Sequence, residues 1–281
     1  MIKIIQNSIK LIFVLMLINR TLLSQTQLSL SFSQTAVDDW KQGKRQTFEI
    51  NNSLDSRMNF KIDTFCVQIN LKYDIGLLLD KSEKNEKDHL MPTDNNLFGE
   101  IVLKYPLNWQ IDPYISSSVR TQITESFRLS KDKLIRTAKF WDPVTSQQAI
   151  GFSYKHKNDR DFVNFRLGIS TKQIRALYHT QMIDDRTTKD IVERYREESG
   201  IELKTNSFIM IDSSTTYKGS FETFGTFEDM TKWILELDNE FQIKLWKWFG
   251  IIAKIKVFYD ESKSLNTQYN QSLSLGLVGR F

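Results

Sequence analysis

The amino-acid sequence predicts an all-β chain, a transmembrane antiparallel up-and-down β-barrel of about twelve strands. Three observations predict it. Apolar and polar residues alternate with period two along most of the chain, short and long connections take turns between the alternating segments, and the first residues have the make-up of an export signal. Composition sets the outer bounds. Of 281 residues, 40% are hydrophobic, 26% charged and 12% aromatic, the mean hydropathy is −0.38, and there are four prolines and one cysteine. These values exclude collagen-like, disulfide-stapled and plainly disordered chains.

The N-terminus comes first. Met1–Lys10 carries Lys3 and Lys10 and no acid, Leu11–Ile18 is an unbroken apolar run, and Leu22-Leu23-Ser24 precedes Gln25. Charge, apolar run and small residue follow in the order of a secretory signal. Residues 1–24 are therefore expected to be a signal peptide and 25–281 the barrel, in the outer membrane of a Gram-negative bacterium. A helix of eight apolar residues rises about 12 Å against a hydrocarbon core of roughly 30 Å, which argues against an anchor. The formal charge of +4 falls by three, to +1, when Lys3, Lys10 and Arg20 leave with the signal. That balance points away from a nucleic-acid partner. Cys66 is the one thiol, so no internal disulfide can form.

Twelve segments follow, at 27–34, 46–58, 63–77, 97–106, 109–122, 147–157, 161–173, 191–204, 207–219, 229–243, 249–260 and 268–281. The third is the cleanest: Phe65, Val67, Ile69, Leu71, Tyr73, Ile75 and Leu77 alternate with polar residues or glycine. A helix would scatter these seven around its circumference, whereas a strand puts them on one face. Val163-Phe165-Leu167-Ile169 and Leu273-Leu275-Leu277 repeat the pattern. Glu197-Glu198-Ser199-Gly200 interrupts it and reads as a bulge or a widened polar patch. Short connections are expected around Lys61-Ile62, Leu107-Asn108, Asn158–Arg160, Thr205-Asn206 and Leu245–Trp248. Longer polar ones are expected at Lys81–Asn96, Glu125–Ser146 and Ile174–Asp190. A barrel with short periplasmic turns and long outer loops produces that rhythm; a soluble sandwich has no reason to.

The polar faces supply the candidate lumen: Lys72, Asp74, Arg166, Lys172, Glu236, Asp238, Glu240, Lys254 and Lys256. Parity about residue 247 sets Glu240 opposite Lys254 and Asp238 opposite Lys256. Aromatic residues cluster near both strand ends. Phe60, Tyr105, Trp109, Phe162, Phe208, Trp246, Trp248 and Phe281 mark one end, and Trp40, Phe140, Trp141, Trp233 and Tyr259 the other, as two interfacial girdles would. The terminal strand ending at Phe281 is expected to be the assembly signal read by the barrel-assembly machinery, and membrane lipid is the other partner.

Several short motifs add a resemblance. They are Trp40, Thr121-Gln122, Trp141-Asp142-Pro143 before Gly151-Phe152-Ser153-Tyr154-Lys155, Phe258-Tyr259-Asp260, and the closing Ser274–Phe281. Together they resemble the outer-membrane β-barrel proteins catalogued as domain of unknown function three thousand and seventy-eight. The resemblance implies a barrel and supplies no activity.

Chemistry-bearing motifs are sparse. His89, His156 and His179 pair neither with one another nor with Cys66 at metal-ligand spacing, and no nucleotide-binding glycine loop occurs. No cofactor, metal or enzymatic activity is expected, and Lys81–Asp88 reads as a solvated loop tip. Two functional readings remain open. One is a narrow channel or transporter for small polar solutes. The other is a structural or adhesive surface barrel with a plugged lumen and working outer loops. A soluble exported β-protein is a third.

Overall fold

A computed structural model describes residues 24–37, 45–82, 89–107, 110–130, 133–158, 161–178, 180, 183, 191–246, 249–260 and 268–280. In chain order the strands are β1 (Ser24–Val37), β2 (Arg45–Ile62), β3 (Phe65–Ser82), β4 (His89–Lys104), β5 (Ile111–Thr121), β6 (Ser126–Ser130) and β7 (Lys133–Ala138). They continue with β8 (Val144–Lys157), β9 (Phe162–Arg175), β10 (Tyr195–Met210), β11 (Thr215–Thr226), β12 (Trp233–Lys244), β13 (Phe249–Asp260) and β14 (Gln268–Arg280). Twelve of them form one closed antiparallel barrel, each paired with its neighbours in the chain except that β5 pairs with β8. The β6–β7 hairpin stands apart from the barrel as a two-stranded sheet. The seam is made by β1 and β14, which pair from Gln27↔Arg280 to Phe32↔Leu275. Closure leaves no edge strand to be solvated or matched by another chain.

The faces of the strands are reversed relative to a soluble protein. Along β9, Leu167 is 56% and Ile169 57% exposed, while Arg166 between Phe165 and Leu167 is 3% exposed. In water, each such aliphatic side chain would forgo roughly 1.5–3 kcal/mol of burial. Surrounded by lipid it loses nothing, and the polar face turns inward instead. Cross-strand partners share a face, so the register carries this orientation from strand to strand around the barrel.

The connections after β2, β4, β8, β10 and β12 all lie at the end holding both termini of the barrel. Asp63 and Thr64 form a two-residue turn closed by Ile62↔Phe65, with Asp63 at a φ of 51°. Asp is among the residues that tolerate this conformation. The turn after β12 is tied by Leu245 N and Trp246 N, both donating to Phe249 O at 3.0 Å.

Four expectations need correction. Thr205-Asn206 is not a turn: Thr205 pairs with Phe165 and Phe221, Asn206 with Asn164 and Ser220, and alternation runs straight through them. The turn is at 211–214, where the Asp212 carboxylate accepts from Ser214 N, Ser214 Oγ and Thr215 N, each at 2.7 Å. The eighth, ninth and tenth segments shift accordingly. No bulge occurs at Glu197–Gly200, whose register with β9 is unbroken. The barrel's register shift lies at Ile75/Leu77, around Gly76. Lys81–Asn96 is mostly strand, because β3 runs to Ser82 and β4 starts at His89. Glu125–Ser146 is not all loop, since it contains the β6–β7 hairpin.

Candidate functional site: the charged lumen

The lumen is built on a row of four residues paired across neighbouring strands. The register runs Tyr114 (β5), Gly151 (β8), Gly168 (β9) and Glu202 (β10). Because the two middle residues lack side chains, the tyrosine ring lies along the wall and its hydroxyl reaches Glu202 Oε1 at 3.0 Å. A Cβ on Gly168 would come 2.8 Å from that hydroxyl, and one on Gly151 only 2.1 Å from Leu167 O. Gln147 Nε2 donates to the other oxygen of Glu202 at 2.6 Å.

Arg166 stands beside this row. Its Nη2 donates to Glu100 Oε1 at 2.7 Å, and Asn70 Nδ2 donates to Glu100 Oε2 at 2.7 Å. Lys204 Nζ lies 3.3 Å from Glu222 and 3.5 Å from Glu202. Glu202 is 0% and Glu100 4% exposed, and Gln242, Ile252 and Ser274, in register on β12, β13 and β14, are buried as well.

Above the row, toward the long connections, side chains bridge strands that are not neighbours. Arg120 Nη1 on β5 reaches Glu236 Oε2 on β12 at 2.7 Å and lies 3.8 Å from Glu222. Lys254 Nζ lies 3.3 Å from Glu240 and 3.9 Å from Asp74. The register sets Asp238 opposite Lys256 and Lys72 opposite Phe98, and Lys172 Nζ sits 5.6 Å from the centroid of the Phe224 ring. Phe281 lies outside the described residues, as do residues 1–23 of the expected signal.

Toward the short turns, basic side chains gather on the inward faces to form a basic mouth. Lys104 Nζ donates to Asn164 Oδ1 at 3.1 Å, while Asn59, Lys61, Lys155 and Lys157 are exposed. Two expected girdle residues belong here. Phe162 and Phe208 share the inward face of β9 and β10 and stack at 6.1 Å with 14° between ring planes. Arg57 and Lys155 lie 4.8 and 5.5 Å from the Phe162 centroid. Parity with Arg166 fixes that facing. Glu100, Tyr114, Arg120 and Glu202, absent from the candidate lumen set, each lie on the polar parity of their strands.

At the far end, Asp142 clamps the connections together. Its Oδ1 accepts from Leu177 N at 2.6 Å and its Oδ2 from Tyr178 N at 3.0 Å. Ile174, Ala176 and Ile183 form a small buried cluster in the same region. Phe140 and Trp141 remain exposed, with ring centroids 5.9 Å apart. His156 is exposed near the short-turn end of β8, His89 opens β4, and His179 lies outside the described residues. Among the described residues, no group of three His, Cys, Asp or Glu could hold a metal ion.

Residues 32–127 match the family described as "Protein of unknown function (DUF3078)", which bears out the resemblance over that stretch. No curated protein matches the chain. Among solved structures, the chain is similar to the COG4313 outer membrane channel from Pseudomonas putida F1. The two are 11% identical with a TM-score of 0.42, over 92% of this chain and 95% of that one. It is also similar to the translocator domain of autotransporter NalP from Neisseria meningitidis, at 8% identity and a TM-score of 0.39, over 92% and 88% of the two chains.

Proposed function

We propose that the chain serves at the outer membrane as a closed surface barrel: its own side chains plug the lumen, and the long outer connections are the working part. One observation carries this reading. Arg166, Glu100 and Glu202, from three different strands, lie together almost sealed from solvent, and Gln242, Ile252 and Ser274 on β12–β14 are buried too. A barrel of twelve strands is intermediate in width between those that fill with side chains and those that leave an aqueous channel. The fill of the lumen therefore decides the matter, and here it favours closure. The short-turn end would be periplasmic, and Phe281 would serve the barrel-assembly machinery during insertion. Planar-bilayer recording tests the reading. The purified protein should insert without discrete conductance steps. Regular steps of one size in the wild type would overturn closure and favour the narrow channel for small polar solutes.

A further inference from the structure

We propose that the basic mouth at the short-turn end of the lumen binds a phosphate-class oxyanion. The argument begins with Arg166, which is buried yet uses only one of its three guanidinium nitrogens. Nη2 meets Glu100, whereas Nε and Nη1 are buried with no hydrogen-bond partner. A buried cation with orphaned donors is a strong attractor for an acceptor.

The surroundings set the sign of that acceptor. Asn164, two residues nearer the mouth on the same face, already takes the Lys104 ammonium at 3.1 Å. Arg57 and Lys155 flank the Phe162 ring, and neither is within ion-pairing distance of an acid among the described residues. Apart from Glu100 on Arg166 itself, each nearby carboxylate already faces a partner of its own. Asp112 Oδ1 accepts from Leu107 N at 3.3 Å, Asp161 Oδ1 accepts from Met210 N at 2.8 Å, Asp55 pairs with Lys72 in the register, and Glu202 holds Tyr114 and Gln147. Cationic groups at graded depth, exposed at Lys155 and buried at Arg166, form a funnel that draws in anions and suits a doubly charged one. Lys61, Lys155 and Lys157 are exposed on the inward parity of β2 and β8, away from the lipid face, so the ligand is a soluble phosphate and not a lipid headgroup.

This goes beyond the closed-barrel reading and fails separately from it, because conductance and binding are measured independently. The test is equilibrium dialysis of the detergent-solubilised full chain against radiolabelled inorganic phosphate at low ionic strength. About one equivalent should bind saturably, with acetate at least tenfold weaker. Arg166→Gln should abolish uptake. Because that variant also unpairs Glu100 and can misfold, Lys155→Glu at the exposed mouth provides the second arm. It should weaken binding tenfold or more while the protein keeps the gel mobility of the folded barrel. Lys232→Gln, in an outer connection, should bind as wild type. Absence of saturable uptake by the wild type, undiminished binding by Lys155→Glu, or acetate binding as tightly as phosphate would each overturn the proposal.

Discussion

At the scale of single residues, burial decides which charges matter. Glu100 is bound by Arg166 and Asn70 with almost no solvent, so truncating it strands a buried guanidinium. Removing one partner of such a pair costs about 3–5 kcal/mol, against about 0–1 kcal/mol for a pair in contact with water. Glu236 makes an equally short contact to Arg120 but is 39% exposed. Glu100→Ala should therefore lower the unfolding midpoint in denaturant far more than Glu236→Ala; equal losses would show the layer to be wetter than described. Glycines separate the same way. A Cβ at Gly151 would strike the backbone of Leu167 and Gly168, which cannot swing aside, whereas Gly99 has nothing within 4 Å. Gly151→Ala should cut the yield of folded barrel severalfold, with Gly99→Ala near wild type on the same gel assay.

At the scale of elements, the barrel's turns and outer connections carry their own bonds. The Asp212 carboxyl in the β10–β11 turn is held down to about 2 by the Ser214 hydroxyl first, and then by the Ser214 and Thr215 amides. A depressed carboxyl contributes stability that is present above its ordinary value of 3.8 and lost as pH falls through the folded value. The difference in unfolding temperature between wild type and Asp212→Asn should therefore shrink from about pH 4 toward pH 2. A difference that stays constant across that window would assign the turn's stability to the backbone alone. On the far side, the two amides held by Asp142 belong to the connection between β9 and β10, which contains Arg186 and Lys189. Asp142→Ala should raise the rate of tryptic cleavage in that connection severalfold without changing the folded barrel's mobility.

At the scale of the whole molecule, one rule orders the wall. Side chains of alternate residues go to lipid or to lumen, and a lysine turned to mid-bilayer would cost roughly 2–4 kcal/mol. In a Cys66→Ser background, Ile255→Cys should react with a lipid-dissolved thiol reagent. Lys254→Cys should react only with a water-soluble one, and slowly, given its half-buried place beside Glu240 and Asp74. The reverse pattern would mean that the faces of β13 are exchanged.

Legible in the sequence alone were a barrel of about twelve strands, their order, their outward faces and the gathering of turns at one end. Period-two alternation and turn chemistry are local, and each reads off a few consecutive residues. The same parity makes Glu240 face Lys254 across the 245–248 turn. Locality also explains the misses. Thr205-Asn206 is polar on both sides of the chain and mimics a turn, although β10 runs on to the carboxylate-capped turn at Asp212. Nearness to strand ends gives Phe162 and Phe208 the look of girdle residues, while their parity sends them inward. Which side chains meet across the lumen is set by how the walls close. Arg120 and Glu236 are 116 residues apart, and Arg166 and Glu100 are 66 apart. Neither pair lies on neighbouring strands. Alternation fixes the face on which a residue stands, but barrel closure, with the tilt and stagger of the strands, fixes the height at which opposite walls confront one another.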